Sequence, residues 1–166
     1  MRIASVTNTT SLLGAILVVG CAATPDFDAT AYDTLLTPSQ IVAGIDTAKG
    51  KAVMWGGAIV QSTNTNTGTQ LEVLAYPLDR KQRPNEGKPA LGRFLAIEDS
   101  YLETMDFAQG RQVTLIGQIS GVQEGRIGEA TYTYPVMKVD EVFLWPSESK
   151  SSGSRFTFGV GVGIGL

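Results

Sequence analysis

The sequence predicts a mostly β domain, a small Greek-key barrel of the OB type with one short helix between its third and fourth strands. Apolar strand-length runs are separated by Ser/Thr/Asn- and Gly-rich turns between residues 52 and 145. A helix-spaced stretch interrupts them just before Gln112, giving three strands, a helix, then two or three strands, the element order of an OB barrel. Glycines fall inside the predicted strands at Gly56, Gly57, Gly92 and Gly117, where a small closed barrel needs tight bends. A seven-strand sandwich is the competing architecture, but the helix before Gln112 sits poorly in it.

Thr37-Pro38-Ser39-Gln40 opens an apolar-periodic stretch, Ile41, Val42 and Ile45, that ends near Gly50. A threonine N-cap followed by proline predicts about two helical turns there. Ala52 to Gln61 is the first strand, and its Gly56-Gly57 pair predicts a bulge or sharp bend. Ser62 to Gly68 is a turn by composition, and Gln70 to Tyr76 returns as the second strand until Pro77 stops it. A polar loop, Asp79 to Pro89, leads to the third strand, Arg93 to Glu98. From Asp99 to Gln109, the spacing of Tyr101, Leu102, Met105 and Ala108 predicts one helical face, ended by Gly110. Gln112 to Ser120 is the fourth strand. Gly121 to Glu129 reads as a glycine-rich hairpin region around a short strand, with Gly121, Gly125 and Gly128 as turn residues. Tyr132 to Trp145 is the last strand, bent at Pro135.

The chain has 166 residues, enough for one domain of ordinary size. Apolar residues make up 43% and charged residues 17%, so a core is feasible. Thirteen basic against sixteen acidic side chains argue against a protein whose main work is wrapping nucleic acid. Histidine is absent, which removes imidazole-based triads and the commonest transition-metal ligand. A single cysteine excludes internal disulfides and multi-cysteine metal sites.

That cysteine stands at the end of an address. Arg2 is the only charge before Cys21, and Leu12 to Gly20 is a short apolar run. Nine residues are too few for a membrane-spanning helix, which needs about 20, whereas a positive start and a short apolar run ending in small residues are features of a secretory signal. The ending Leu17-Val18-Val19-Gly20-Cys21 resembles the lipobox of bacterial lipoproteins. That likeness implies cleavage before Cys21, a diacylglycerol on its sulfur and an acyl chain on the freed amine; no other cofactor is expected. Loss of Arg2 leaves twelve basic against sixteen acidic side chains. One acyl chain binds a membrane reversibly, and two or more hold the protein there. Ala22, not aspartate, follows the cysteine, which by the enterobacterial sorting rule favours the outer membrane. The expected division is a signal at 1–20, a lipidated N-terminus and polar tether at 21–37, a barrel at 38–146 and a tail at 147–166. The stretch Ala22 to Thr37 reaches up to about 50 Å if extended.

Further residues carry a family likeness. Gly56-Gly57-Ala58-Ile59-Val60, the corner Ala75-Tyr76-Pro77-Leu78-Asp79, Gly92-Arg93-Phe94-Leu95-Ala96, Val113-Thr114-Leu115-Ile116-Gly117 and Val142-Phe143-Leu144-Trp145 follow in order. Together with the lipobox they resemble the Slp family of bacterial outer-membrane lipoproteins. The resemblance implies an envelope location and no established catalytic activity. The tail after Pro146 does not align with the family pattern.

The segment from Asp79 to Arg93 holds Arg80, Lys81, Arg83, Lys88 and Arg93 against Asp79 and Glu86. It is a candidate contact for an anion such as a lipid headgroup, lipopolysaccharide phosphate or acidic partner; the plainer reading is a solvated loop. The carboxylates Glu98, Asp99, Glu103 and Asp106 surround the predicted helix, where acids near a helix start complement the dipole. Paired acids serve glycoside hydrolysis only when they face each other across a bond, and nothing in the spacing arranges that. Trp55 and Trp145 read as core or barrel-end packing before ligand platforms. In the tail, Phe156, Phe158, Val160, Val162, Ile164 and Leu166 alternate with small residues, a strand pattern with one apolar face. A lone strand cannot sit in lipid, so pairing at a sheet edge or a mobile tail are the readings left open.

The expected function is a non-enzymatic structural or adaptor role in the envelope of an outer-membrane lipoprotein. The alternative is a binding module for an anionic envelope ligand through residues 80–93. Expected partners are the outer membrane and an envelope protein or anionic lipid, with no nucleic acid; the oligomeric state is left open.

Overall fold

Strict alternation along Gly68–Tyr76 puts Thr69, Leu71, Val73 and Ala75 on one buried face and leaves the residues between them partly exposed. A period of two with one apolar face requires a closed or covered sheet, and the chain supplies a closed one. A computed structural model describes residues 27–147. Its strands are β1 (Ala52–Thr65), β2 (Gly68–Tyr76), β3 (Gly92–Glu98), β4 (Gln112–Ile127) and β5 (Ala130–Leu144). They form a barrel in the order β1-β2-β3-β5-β4, and β4 returns to β1. Every pairing is antiparallel except the seam of β3 with β5, where Leu95, Ala96 and Ile97 run parallel to Val136, Met137 and Lys138. This is the predicted OB-type Greek key.

The interior is filled by Val53, Trp55 and Ile59 of β1, Leu71 and Val73 of β2, Phe94 of β3, Leu115 and Ile119 of β4 and Met137 of β5. Trp55 meets Phe94 edge to face with ring centroids 4.9 Å apart. One end is closed by α1 (Pro38–Ala43) and α2 (Ile45–Ala48), which bury Ile41 and Ala48 in the core. The Thr37 N–H donates to Gln40 Oε1 at 2.9 Å, so the predicted cap forms, and Gly44 divides the stretch into two short helices.

The glycine pair in β1 works by closeness and makes no bulge. Gly56 and Gly57 pair regularly on both sides, and the register shift falls later, between Ile59 and Gln61. A methyl group on Gly57 would lie 2.0 Å from the Leu74 carbonyl oxygen, and one on Gly117 would lie 2.1 Å from that of Lys138. Gly68, where one would lie 2.0 Å from the Glu98 oxygen, is a third such position, and at all three the neighbouring strands leave no room for a side chain.

No helix forms between β3 and β4. Residues 104–107 and 109–110 are turns, with one helix-like bond from the Phe107 N–H to the Glu103 oxygen. The Ser100 N–H donates to Glu98 and the Leu102 N–H to Thr69 Oγ1 at 2.8 Å, which would suit a helix start, but no run of helical bonds follows. The predicted apolar face also breaks up, since Leu102 packs on the core while Tyr101 and Met105 are 66% and 82% exposed.

Nor is the region after Ser120 a loop around a short strand. β4 continues through Gly121 and Gly125 to Ile127, and only Gly128, with φ of 60°, is a turn residue. From Val122↔Pro135 to Ile127↔Ala130 the two strands form a ribbon that pairs with no other strand among the described residues. Tyr134 crosses Gly125, its ring 2.9 Å from where a Cβ would be, and stacks edge to face on Tyr132 at 4.7 Å. The Tyr132 hydroxyl accepts from the Arg93 N–H, pinning the ribbon to β3.

The first described residues lie along the barrel where a free tether was expected. Phe27 packs edge to face on Phe143, and the Asp33 N–H donates to the Ala52 oxygen. Leu36 packs on the core, and its carbonyl accepts from Trp55 Nε1 at 2.6 Å. The signal, Cys21 and the tail from residue 148 onward lie outside the described residues.

Gly57→Ala is expected to lower unfolding free energy by about 1–3 kcal/mol, because backbone would have to move. Gly121→Ala, with nothing within 4 Å, should stay within about 0.5 kcal/mol. Urea titrations of the two variants test this.

Candidate functional site

Pro77 ends β2, and the chain then folds back tightly. Asp79 Oδ1 accepts from the N–H groups of Lys81 and Arg83 at 2.7 and 3.0 Å, an Asx-type turn, and Gln82 takes a positive φ of 62°. Leu78 and Pro84 press onto the outer face of β1 at Gly56, where a Cβ would stand 2.8 and 3.0 Å from their side chains. Gln82 offers its carbonyl to Thr114 Oγ1 at 2.6 Å, and Trp145 Nε1 donates to the same hydroxyl at 2.9 Å. The loop between β2 and β3 therefore forms a second layer over the β1–β4 wall, which explains why outward-pointing Thr114 is fully buried. The corner from Ala75 to Asp79 is the start of this layer.

Between the loop and the ends of β4 and β5 lies an open cleft of about 550 Å³. Its walls include Asp79, Arg83, Glu86, Arg111, Gln112 and Trp145. Arg83 sits over the Trp145 ring at 5.6 Å and donates from Nε to Gln112 Oε1 at 2.7 Å. Gln112 in turn donates to Glu86 at 2.6 Å. Arg111 holds the carbonyls of Asp106 and Trp145 at 2.9 and 3.0 Å, and its Nε is buried without a hydrogen-bond partner. The sequence pattern did not single out Arg111; its nearness to Trp145 depends on the pairing of β4 with β5.

The five cations do not converge. Arg83 lines the cleft, while Arg80, Lys81 and Lys88 are exposed along the loop. Arg93 belongs to the sheet: its guanidinium donates to Glu72 at 2.7 Å across β2 and β3. Glu72 also accepts from the Tyr134 hydroxyl at 3.1 Å. The Glu72 bond and charge push the Arg93 pKa up. Burial, with the Glu72 charge beside it, pushes the Tyr134 phenol up.

The acids near residues 98–106 cap their own turns. Glu98 accepts from the Ser100 N–H and hydroxyl, Glu103 from the Met105 N–H, and Asp99 pairs with exposed Lys138 at 2.9 Å. No group of His, Cys, Asp and Glu among the described residues is arranged to hold a metal. Trp55 lies in the core and Trp145 under the loop, both buried.

The two kinds of cation should separate in a stability measurement. Arg93→Gln leaves Glu72 partly buried without its charge partner and is expected to cost about 1–3 kcal/mol. Lys81→Gln should stay within about 0.5 kcal/mol. Equal effects in urea unfolding would contradict this division.

The chain matches the model of the outer membrane lipoprotein Slp family over residues 18–159. It is 33% identical over 135 residues to the uncharacterized lipoprotein YeaY of Escherichia coli (strain K12), covering 79% of this chain and 68% of that protein. It is 28% identical over 96 residues to the outer membrane protein Slp of the same organism, covering 58% of this chain and 50% of that one. An uncharacterized protein of Haemophilus influenzae is 33% identical over 96 residues, with 57% and 52% covered. The chain thus spans about two thirds of the first relative and about half of the other two. Among solved structures it is similar to a small single-stranded DNA-binding protein of Streptomyces coelicolor, at 11% identity and TM-score 0.34 over 57% of this chain and 94% of that one. It is also similar to Schizosaccharomyces pombe Pot1pC bound to single-stranded DNA, at 11% and 0.30 over 72% and 88%. At those values neither likeness bears on what this chain binds. The family match takes in the whole barrel and, against expectation, runs past Pro146 to residue 159 of the tail, and the protein belongs to the outer membrane lipoprotein Slp family, whose place is the bacterial outer membrane.

Proposed function

We propose that the protein is a non-catalytic adaptor of the envelope, held at the outer membrane by acyl chains on Cys21 and docking another envelope component through the β4–β5 ribbon. One observation carries the reading: the outer edge of β4 from Gly121 to Ile127 pairs with no strand among the described residues. Such an edge offers backbone donors and acceptors to an incoming strand. The ribbon is fixed for that role, since Tyr132 and Tyr134 tie it to Arg93 and Glu72. Val122, 41% exposed, and Gln123, Glu124 and Arg126 stand along the free strand and give a partner side chains to read.

The engaged carboxylates support the absence of catalysis, because each acid from Glu98 to Glu103 caps a turn or pairs with a lysine. Nucleic acid is not part of the proposal. In OB barrels the β2–β3 face is the usual oligonucleotide platform, and here that face carries the Glu72–Arg93 pair with Tyr134 bonded to it.

A photocrosslinking residue at Gln123 tests the reading in intact cells, with one at Val42 as control. Discrete adducts of defined mass from position 123, and none from position 42, are expected. They should disappear when the crosslinking residue at position 123 is kept and proline replaces Glu124, if urea unfolding shows the barrel intact. The same adducts from both positions, or none from 123, would contradict the proposal.

A further inference from the structure

We infer that the wall formed by Phe143 of β5, Trp145 just after it and the loop from Pro77 to Leu91 lies against the membrane, its exposed cations meeting lipid phosphates. The inference rests on the proposed acylation of Cys21 and adds to it an orientation and a contact surface.

The argument starts from covalent reach. Phe27 is packed on Phe143, ring centroids 6.1 Å apart. Five residues lie between it and Cys21, and the six steps of extended chain span at most about 20 Å. An acylated Cys21 therefore puts the lipid attachment within that distance of Phe27, which packs on Phe143. Phe143 is at one end of β5, and the ribbon tip at Gly128 and Glu129 adjoins the other. The strand between them is 15 residues long, about 50 Å at the usual rise. The anchor thus holds the Phe143 end of the barrel near the bilayer and leaves the ribbon reaching away from it.

The charge on that end fits an anionic surface. Phe143 stacks on Trp145 at 4.8 Å, and Trp145 carries Arg83 at 5.6 Å, so ring contacts lead from the anchor side directly to the loop. The loop from Pro77 to Leu91 bears Arg80, Lys81, Arg83 and Lys88 against Asp79 and Glu86. Arg80, Lys81 and Lys88 are exposed. Both acids are exposed and hydrogen-bonded, Asp79 by two loop amides and Glu86 by Gln112, so the loop keeps four cations against two anions. Asp28 and Asp33, near the anchor, likewise accept from their own backbone, at Thr30 and at Leu35 and Leu36. A lipid anchor beside a basic patch is the two-signal arrangement that holds a protein firmly on a membrane. The loop's excess of cations in an acidic chain, unexplained by the fold alone, then has an occupant: the phosphates of the bilayer to which the chain is tethered.

The test uses the acylated full chain with one introduced thiol, Gly87→Cys on the loop or Glu129→Cys at the ribbon tip, carrying a fluorophore. The chain is placed in vesicles of phosphatidylcholine alone or of phosphatidylcholine with phosphatidylglycerol, and quenching by dissolved acrylamide reads exposure. The mass of the N-terminal peptide reports acylation independently. The expected result is loss of quenching at position 87 in the phosphatidylglycerol vesicles and full quenching at 129 in both. Adding Arg80→Gln, Lys81→Gln and Lys88→Gln should restore quenching at 87. An acylated chain with equal quenching at 87 and 129 would overturn the orientation. Protection at 87 that ignores phosphatidylglycerol, or that survives the three substitutions, would overturn the phosphate contact. An unmodified Cys21 would overturn the anchor itself, and this inference with it.

Discussion

Three residue pairs close the barrel. Where Leu95, Ala96 and Ile97 run parallel to Val136, Met137 and Lys138, β3 meets β5 and the sheet has no edge left around its core. Parallel strands cannot be joined by a hairpin, so the chain reaches this seam through β4 and returns along β5. Once the seam forms, Phe94 and Ala96 face Met137 and Val139 across a common interior, and Trp55 gains the ring it packs on. The seam is also short, and its shortness shapes the surface. Pro135, with no N–H to give a ladder, stands immediately before Val136. Beyond that point β5 has only β4 as a strand partner, and the pair continues as a ribbon.

Closure divides the molecule into an inner and an outer economy of contacts. Inside, alternating apolar residues exclude water and drive stability in proportion to the area buried. Outside, two walls are covered by the chain itself. The β2–β3 wall holds Arg93 and Glu72 under Tyr134, and the β1–β4 wall holds Thr114 under Gln82 and Trp145. Among the described residues, what remains open is the β4 edge along the ribbon and the basic loop with its cleft. The segment from Phe27 to Leu36 follows the barrel wall and brings the chain's N-terminal side to Phe143, close to the loop. The proposed membrane contact lies beside the Phe143 end of β5, and the proposed docking edge runs out to the ribbon tip beyond its other end.

Much of the fold was legible because period-two patterns are local. β2 and the first half of β4 alternate cleanly, and Pro77 and Gly92 mark a strand end and a strand start where they were expected. The strands ran longer than composition suggested at Ser62–Thr65 and Gly121–Ile127, because polar and glycine-rich segments take strand form once a partner strand and Tyr134 hold them. The helix over 99–109 failed for the opposite reason. Its spacing was sound, but Leu102 packs on the core with its N–H on Thr69, 33 residues away, while Tyr101 and Met105 stay exposed, so the expected face has no common surface to bury against. Of the candidate site, a cluster of cations in one loop was visible, while its division was not. Arg93 is adjacent in sequence to the loop yet faces Glu72, and Arg111 is distant in sequence yet lines the cleft. Both placements follow from cross-strand register, which a single sequence does not display.

The assignment of ends depends on where the lipid is attached, and the mature N-terminus reports that directly. Mass spectrometry of the protein isolated from the outer membrane of a Gram-negative host is the measurement. A chain that begins at Cys21, with a diacylglycerol on sulfur and an acyl chain on the amine, is predicted, together with mislocalised, unacylated Cys21→Ser. An outer-membrane chain whose Cys21 thiol is free, or which begins elsewhere, would contradict the account.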